Sequence, residues 1–326
     1  MKTKLVIWSL VVLVATGIFF HGGCSTGTEG DRVWETKFSA MLHDSLVVLR
    51  NEYFSRLPVL VVNSRLASAW QLDTAGTFEF CGQAYDLSDA AFRERLQDEL
   101  WYLYDRQGWL LTQAQRLGRY RNLIEAQLAI DTMPKDLTYL YVWESGLNPT
   151  AVSWAGATGI SQFIQSTGRA FRLHISSQYD ERKDPGPAIT ASVHYLKNLY
   201  GEFGDWLLVL ASYNHGETAV RNRLAQQQVS RFIDLLVPNE THRYVFQVMA
   251  VCYIFKNGLL GNLSWFRPHD PLPVSKRQQV RVSVTTSLAK FSQQLGVDFS
   301  TFKLLNPHLP VRLAPGTYPV NIPVPG

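Results

Sequence analysis

One carboxylate is set apart by its neighbours. In the stretch Asp136 to Gln162 (DLTYLYVWESGLNPTAVSWAGATGISQ) the spacing predicts a short helix that ends near Gly146. Pro134 and Asp136 suit its N-terminal end, because proline is tolerated in a first turn and an aspartate caps free N–H groups. Gly146 and then Asn148-Pro149 suit its C-terminal end. Leu137, Leu140, Tyr141 and Glu144 fall at i, i+3, i+4 and i+7, which puts Glu144 on the face to be buried. Its other neighbours are Tyr139, Val142, Trp143 and, past the turn, Trp154. A carboxyl among such groups is costly to ionise, so its pKa should rise. A glutamate that keeps its proton near neutral pH can donate it as a general acid. From the helix alone, a buried glutamate paired with an arginine or capping a neighbouring helix is an equal reading.

The residues that follow favour the acid. Ser153 to Gly159 is a polar loop in which Gly156 and Gly159 allow sharp turning and close approach to a ligand. Ser153 and Gln162 supply hydroxyl and amide groups suited to the hydroxyl and acetamido groups of a sugar. The pattern E-S-x-x-x-P-x-x-x-S-x-x-G-A-x-G-x-x-Q stands here as Glu144, Ser145, Pro149, Ser153, Gly156, Ala157, Gly159 and Gln162. It resembles the catalytic segment of the soluble-lytic-transglycosylase family of peptidoglycan-cleaving enzymes, with every spacing kept. Ser212-Tyr213-Asn214 with Gly216 resembles the family's A-Y-N-x-G, and Glu240-Thr241-His242-Arg243-Tyr244-Val245 resembles its E-T-x-x-Y-V. The resemblance covers about residues 116 to 262 and is strongest to the membrane-bound type D subgroup. Ser212 replaces an alanine of that pattern, Ser161 a larger apolar residue, and Gln165 a common proline.

The resemblance implies a lysozyme-like helical fold and assigns roles. Glu144 is the catalytic acid. Ser153, Gln162, Tyr213 and Asn214 bind substrate, with the Tyr213 hydroxyl pointing toward Glu144 and the N-acetylmuramyl ring. Ser145 and Tyr244 support them. Read without the resemblance, Tyr213 and Asn214 are a helix end capped by asparagine under a packed tyrosine.

Most glycosidases use two carboxylates. From Ser145 to Tyr179 there is no aspartate or glutamate, and Asp180, Glu181 and Asp184 then fall in a charged run that reads as solvated surface. A one-carboxylate reaction is therefore the preferred reading. By resemblance, Glu144 protonates the bridging oxygen between N-acetylmuramic acid and N-acetylglucosamine, and the muramyl C6 hydroxyl closes onto C1 to leave a 1,6-anhydro end. Two other classes stay open: a hydrolytic muramidase that brings a distant carboxylate to Glu144, and a non-catalytic peptidoglycan-binding lipoprotein.

The elements that must position these groups are mainly α-helical. Asp89 to Arg106 has Phe92, Leu96, Leu100, Leu103 and Tyr104 on one stripe. Pro187 to Phe203, Trp206 to Tyr213 with Asp205 as cap, and Thr241 to Lys256 are further helices, and Glu217 and Arg221 are spaced to pair. Val59 to Val62 and Gly76 to Tyr85 are candidate strands. The organisation read from this is a signal segment over 1–23, a tether over 24–37, an accessory region over 38–115 with no evident chemistry, and a catalytic domain over 116–262. A proline-dotted linker over 263–275 leads to a small β-α-α-β unit over 276–326 that resembles a LysM carbohydrate-binding module, though Thr285-Thr286 stand where that module has G-D-T. A unit so small either stands alone marginally or docks on the catalytic domain.

The 46% apolar content supports real cores, and a net charge of +4 gives no sign of a nucleic-acid partner. Lys2 and Lys4 precede an apolar run from Leu5 to Phe20 and then His21-Gly22-Gly23-Cys24, which resembles a bacterial lipoprotein cleavage site despite His21. Cys24 is then the lipidated residue, and the expected partners are peptidoglycan strands and, through the lipid, a membrane of the cell envelope. A plain signal peptide and an uncleaved anchor are the other readings. Cys81 and Cys252 remain; Cys252 shares a helical stripe with Tyr244, Val245, Val248, Met249 and Phe255, which reads as a buried free thiol. His174, His194, His215 and His242 are scattered, so no metal site and no cofactor are expected.

Overall fold

The computed structural model describes residues 70–260 and 266–324, all within one contact unit, Leu66–Gly326. The signal segment, Cys24, the tether, the Val59 to Val62 strand and the rest of 38–69 lie outside the described residues.

A hairpin opens the described chain. β1 (Thr77–Phe80) and β2 (Gln83–Asp86) pair antiparallel through a two-residue turn in which Cys81 (φ 54°) and Gly82 (φ 78°) are both left-handed, as such turns require. Asp89 then caps α1 (Ala90–Tyr104) by accepting from the Ala91 and Phe92 N–H groups, and Phe92, Leu96, Leu100 and Leu103 are buried as the stripe predicts. α2 (Gln107–Ile130) buries Leu110, Leu117, Tyr120, Ile124 and Leu128. α3 (Thr138–Ser145) and the short α4 (Gln165–Ala170) flank the glycine-rich loop. α5 (Pro185–Phe203) starts with proline in its first turn, and α6 (Trp206–His215) is capped by Asp205, which accepts from the Leu208 N–H at 2.9 Å. α7 (Glu217–Gln227) and α8 (Asn239–Lys256) complete the helical body.

α8 is the axis of that body. It buries side chains nearly all round, from Thr241 through Cys252 to Ile254, and packs against α1, α3 and α6. One core runs from Trp70 and Phe80 through α1 and α2 to Val251 and Ile254. The mainly α expectation holds, and the sheets among the described residues are two-stranded. Cys81 and Cys252 are both buried and unbonded.

Two local expectations change. Asp136 caps no helix: its carboxylate accepts from the Cys81 N–H at 2.8 Å and pairs with Lys256 at 3.0 Å, so it ties the hairpin to α8. Glu217 does not pair with Arg221; it accepts from the Tyr195 hydroxyl at 2.7 Å, while Arg221 pairs with Glu202 at 2.6 Å.

The C-terminal unit keeps the expected β-α-α-β order and adds a pair of two-residue strands inside it. β3 (Ser275–Val282), β4 (Thr286–Ser287), α9 (Leu288–Gln294), α10 (Phe299–Leu305), β5 (Arg312–Leu313) and β6 (Gly316–Pro323) enclose a second core of Val282, Phe291, Phe302, Leu313, Tyr318 and Val320. β3 pairs with β6 antiparallel. The unit is docked. Arg277 binds Glu181 at 2.5 Å and Asp184, and the Asn321 amide donates to Asp184 at 3.1 and 3.2 Å. The chain leading to it also lies on α2, where the His269 N–H donates to the Gln115 carbonyl at 2.9 Å.

Candidate active site

α3 presents the acid. Its last turn closes on Gly146 at φ 59°, with the Gly146 N–H on the Val142 carbonyl and the Leu147 N–H on the Tyr141 carbonyl, the paired bonds of a glycine-terminated helix. A side chain at 146 would also strike Gln113 of α2, whose neighbour Arg116 donates to the Gly146 carbonyl at 2.9 Å. The helix end is thus pinned, and Glu144 with it.

Leu137, Leu140 and Tyr141 are fully buried, and Glu144, on the same stripe, is half-buried at the wall of a cleft of about 480 Å³. Burial pushes its carboxyl up to about 7, against the opposing effect of a hydrogen bond from the Tyr244 hydroxyl. Its place in the last turn of a helix, where carbonyl ends concentrate negative potential, acts in the same direction as burial. A group balanced near neutrality can hold a proton and also take one back.

The structure brings Glu144, Ser153, Gln162, Tyr213, Asn214 and Tyr244 to this one cleft. They come from α3, the loop, α6 and α8, so the cleft lies where these elements converge. Ser145 does not line it; its hydroxyl donates to the Ile160 carbonyl at 3.0 Å and accepts from the Asn148 N–H at 3.2 Å, holding the loop to the helix. Ser153 accepts from the Ala157 N–H at 3.0 Å and shapes the loop tip. Gln162 sits at φ 49° and its amide donates to the Gly159 carbonyl at 2.8 Å. Asn214 belongs to the last turn of α6, which runs on to His215 before Gly216 at φ 90°, so it is no cap.

Tyr213 corrects an expectation. Its hydroxyl donates to the Ser161 carbonyl at 2.7 Å, and the hydroxyl on Glu144 is that of Tyr244. Both phenols are pushed well above their ordinary range, first by burial and then by the Glu144 carboxylate, so both remain protonated donors. Tyr213 is therefore a positioning residue for the loop, its ring packed at a tilt against Phe163 (6.0 Å between centroids) and Tyr195 (5.5 Å).

Several site residues were not legible in the sequence. Arg182, buried, donates to the carbonyls of Gly156 and Phe163 at 3.1 Å each and pairs with Asp180 at 2.7 Å. It is a strut beneath the loop. Gly159, at φ +84°, packs directly on the Arg182 carbonyl oxygen, where any Cβ would collide. The run Asp180 to Asp184 is not solvated surface, since Asp184 is 2% exposed. Glu217 and Glu240 also line the cleft, from α7 and α8, and Tyr195 supplies a hydroxyl to the first. Gly159 carried a signal as a motif glycine and Glu240 as the first residue of the E-T-x-x-Y-V match; Arg182, Tyr195 and the cleft position of Glu217 carried none. Among the described residues no group of three or more His, Cys, Asp and Glu could hold a metal ion, and no helix is long and apolar enough to cross a membrane.

Residues 121–235 match the family model described as the transglycosylase SLT domain. Membrane-bound lytic murein transglycosylase D of Escherichia coli strain K12 is 32% identical over 196 residues, which is 59% of this chain and 43% of that protein. The chain thus spans less than half the length of this relative. Among solved structures, the 70 kDa soluble lytic transglycosylase of Escherichia coli aligns with 56% of this chain and 34% of its own at 22% identity and a TM-score of 0.39. The inactive mutant of lytic transglycosylase Slt from Pseudomonas aeruginosa aligns with 65% and 35% at 22% identity and a TM-score of 0.38.

Proposed function

We propose that the SLT domain at residues 121–235 makes this chain a peptidoglycan lytic transglycosylase. The carrying observation is the Glu144 carboxyl at the wall of a cleft, raised to about 7 by burial and held by the Tyr244 phenol donor.

In this reaction protonated Glu144 donates to the glycosidic oxygen between N-acetylmuramic acid and N-acetylglucosamine. The C1–O bond breaks, and the glucosamine side leaves as an alcohol. Glu144, now a carboxylate, is stabilised by the Tyr244 hydroxyl and takes the proton of the muramyl C6 hydroxyl as that oxygen bonds to C1. The 2-acetamido group assists departure. One bond breaks, one forms, the acid regains its proton, and no water is consumed. Ser153, Gln162 and Asn214 bind the sugar ring and its acetamido group; Ser145, Tyr213 and Arg182 keep the loop in place. No cofactor enters the scheme. The lipid anchor at Cys24 and a cell-envelope location belong to the same proposal, supported by the leader-like segment and by a relative named as membrane-bound.

A second reading has an observation behind it. Glu217 and Glu240 share the cleft with Glu144, and either could activate water for hydrolysis. Mass spectrometry of peptidoglycan digests decides between the two. Ends carrying 1,6-anhydro-N-acetylmuramic acid are expected, whereas products heavier by one water mean hydrolysis. Glu144→Gln should fold and lose cleavage by at least about a hundredfold; near wild-type turnover would remove Glu144 from the centre of the scheme.

A further inference from the structure

We propose that the C-terminal unit positions the catalytic loop, with Arg277 of β3 as the positioning residue that carries this coupling to the sugar-binding side of the cleft. This rests on the reading above and gives the unit a part in turnover distinct from carbohydrate binding.

The link is one short segment gripped on two faces. The 3₁₀ turn Glu181–Lys183, with Asp184 after it, is held from the C-terminal unit: Arg277 pairs with Glu181 at 2.5 Å and with Asp184, and the Asn321 amide donates to Asp184 at 3.1 Å. Just before the turn, the Tyr179 ring packs against the second core, 6.2 Å from Tyr318 and 6.4 Å from His308 between centroids. The Asp180 N–H donates to the His308 carbonyl at 3.4 Å. Arg182 faces the other way. Its guanidinium donates to the Gly156 and Phe163 carbonyls, and its own carbonyl oxygen lies against Gly159. Asp180, held through its backbone by the C-terminal unit, pairs with that same guanidinium at 2.7 Å.

The two faces move together. The turn is closed by the Lys183 N–H on the Asp180 carbonyl at 3.0 Å and the Asp184 N–H on the Glu181 carbonyl at 3.1 Å, so displacing Glu181 and Asp184 displaces Arg182. On the loop, Ser153 accepts from the Ala157 N–H, next to Gly156, and the Gln162 amide donates to the Gly159 carbonyl. The groups placed on the sugar are therefore one hydrogen bond away from residues that rest on Arg182 or adjoin them. Glu144 and Tyr244, on α3 and α8, stand outside this path. A shift of the turn misplaces the sugar against an acid that stays put.

The test compares the full-length wild type, Arg277→Ala and Glu181→Ala on soluble uncrosslinked peptidoglycan strands. Release of anhydro ends gives kcat and KM, at a temperature where circular dichroism shows each protein folded. Arg277→Ala should lower kcat/KM at least about tenfold, within the roughly hundredfold that a misplacement of about 1 Å can cost, and part of that loss should be a raised KM. A partly unfolded sample lowers kcat alone and leaves KM unchanged. Glu181→Ala keeps the pair between Arg277 and Asp184, so it covers the case in which Arg277→Ala fails to fold; it should raise KM in the same way with a smaller loss. Wild-type kcat/KM in the folded variants, or a loss confined to kcat, overturns the coupling while the transglycosylase reading stands. A wild type that releases no anhydro ends overturns that reading, and the coupling with it.

Discussion

Glu144 could be read from periodicity alone as a carboxyl on a buried stripe, and the motif that follows it gave the stripe a purpose. Which phenol would reach it could not be read that way. Tyr213 and Tyr244 lie on helices α6 and α8, and only the packing of those helices decides which hydroxyl faces Glu144 and which faces Ser161. The assignment to Tyr244 has a consequence in pH. The first step needs protonated Glu144, so turnover should fall as pH rises through about 7. The Tyr244 hydroxyl donates to the carboxylate and favours the ionised form, which lowers the pKa. Removing it destabilises the anion, so in Tyr244→Phe the alkaline limb should move up by about one unit, the size expected for a hydrogen bond to a charged group. The plateau rate should fall as well, because the anion formed during the reaction loses its donor. The measurement is kcat against pH for both proteins. A limb that stays put or moves toward acid would mean that Tyr244 does not act on Glu144.

The helices were legible because their stripes are long and their caps conventional, as with Asp89 before α1 and Asp205 before α6. The support under the catalytic loop was not. Asp180 to Asp184 has the composition of a solvated face, and what buries it comes from far along the chain: Arg277 and Asn321 bind Asp184 from 93 and 137 residues away. No local pattern carries that information. The two loop glycines separate backbone conformation from packing. Gly156, at φ +78°, has nothing within 4 Å of a would-be Cβ, whereas Gly159, at φ +84°, would drive a Cβ into the Arg182 carbonyl. Gly156→Ala should cost only left-handed strain, about 1–2 kcal/mol. Gly159→Ala adds a clash of backbone on backbone, so it should displace the loop from Arg182 and lower turnover at least about tenfold further than Gly156→Ala, with helical circular dichroism retained. Equal losses in the two variants would refute the role of Arg182 as a strut.

Across the whole molecule the β-α-α-β order of the C-terminal unit was readable, because its strands and helices keep their own periods. How firmly it is joined to the helical body was not readable, since that depends on one buried carboxylate. Asp184 is 2% exposed and is held by Arg277, by the Asn321 amide and by an approach of 3.3 Å from His308 Nδ1. His308 is itself fully buried, and burial lowers its pKa, so it is a poor substitute cation at neutral pH. Arg277→Ala should therefore strip the buried Asp184 side chain of its cationic partner, at a cost of about 3–5 kcal/mol. Adding Asp184→Asn should recover part of that loss, because a neutral amide needs no cation. None of the nine tryptophans lies beyond residue 265, and those among the described residues (Trp70, Trp101, Trp109, Trp143, Trp154 and Trp206) belong to the helical body, so their fluorescence reports on that body and not on the C-terminal unit. If the two are one cooperative structure, Arg277→Ala must lower the urea midpoint seen by that fluorescence, although the substituted residue lies beyond every tryptophan. An unchanged midpoint would show that the C-terminal unit can let go of Glu181 and Asp184 without the catalytic region registering its loss.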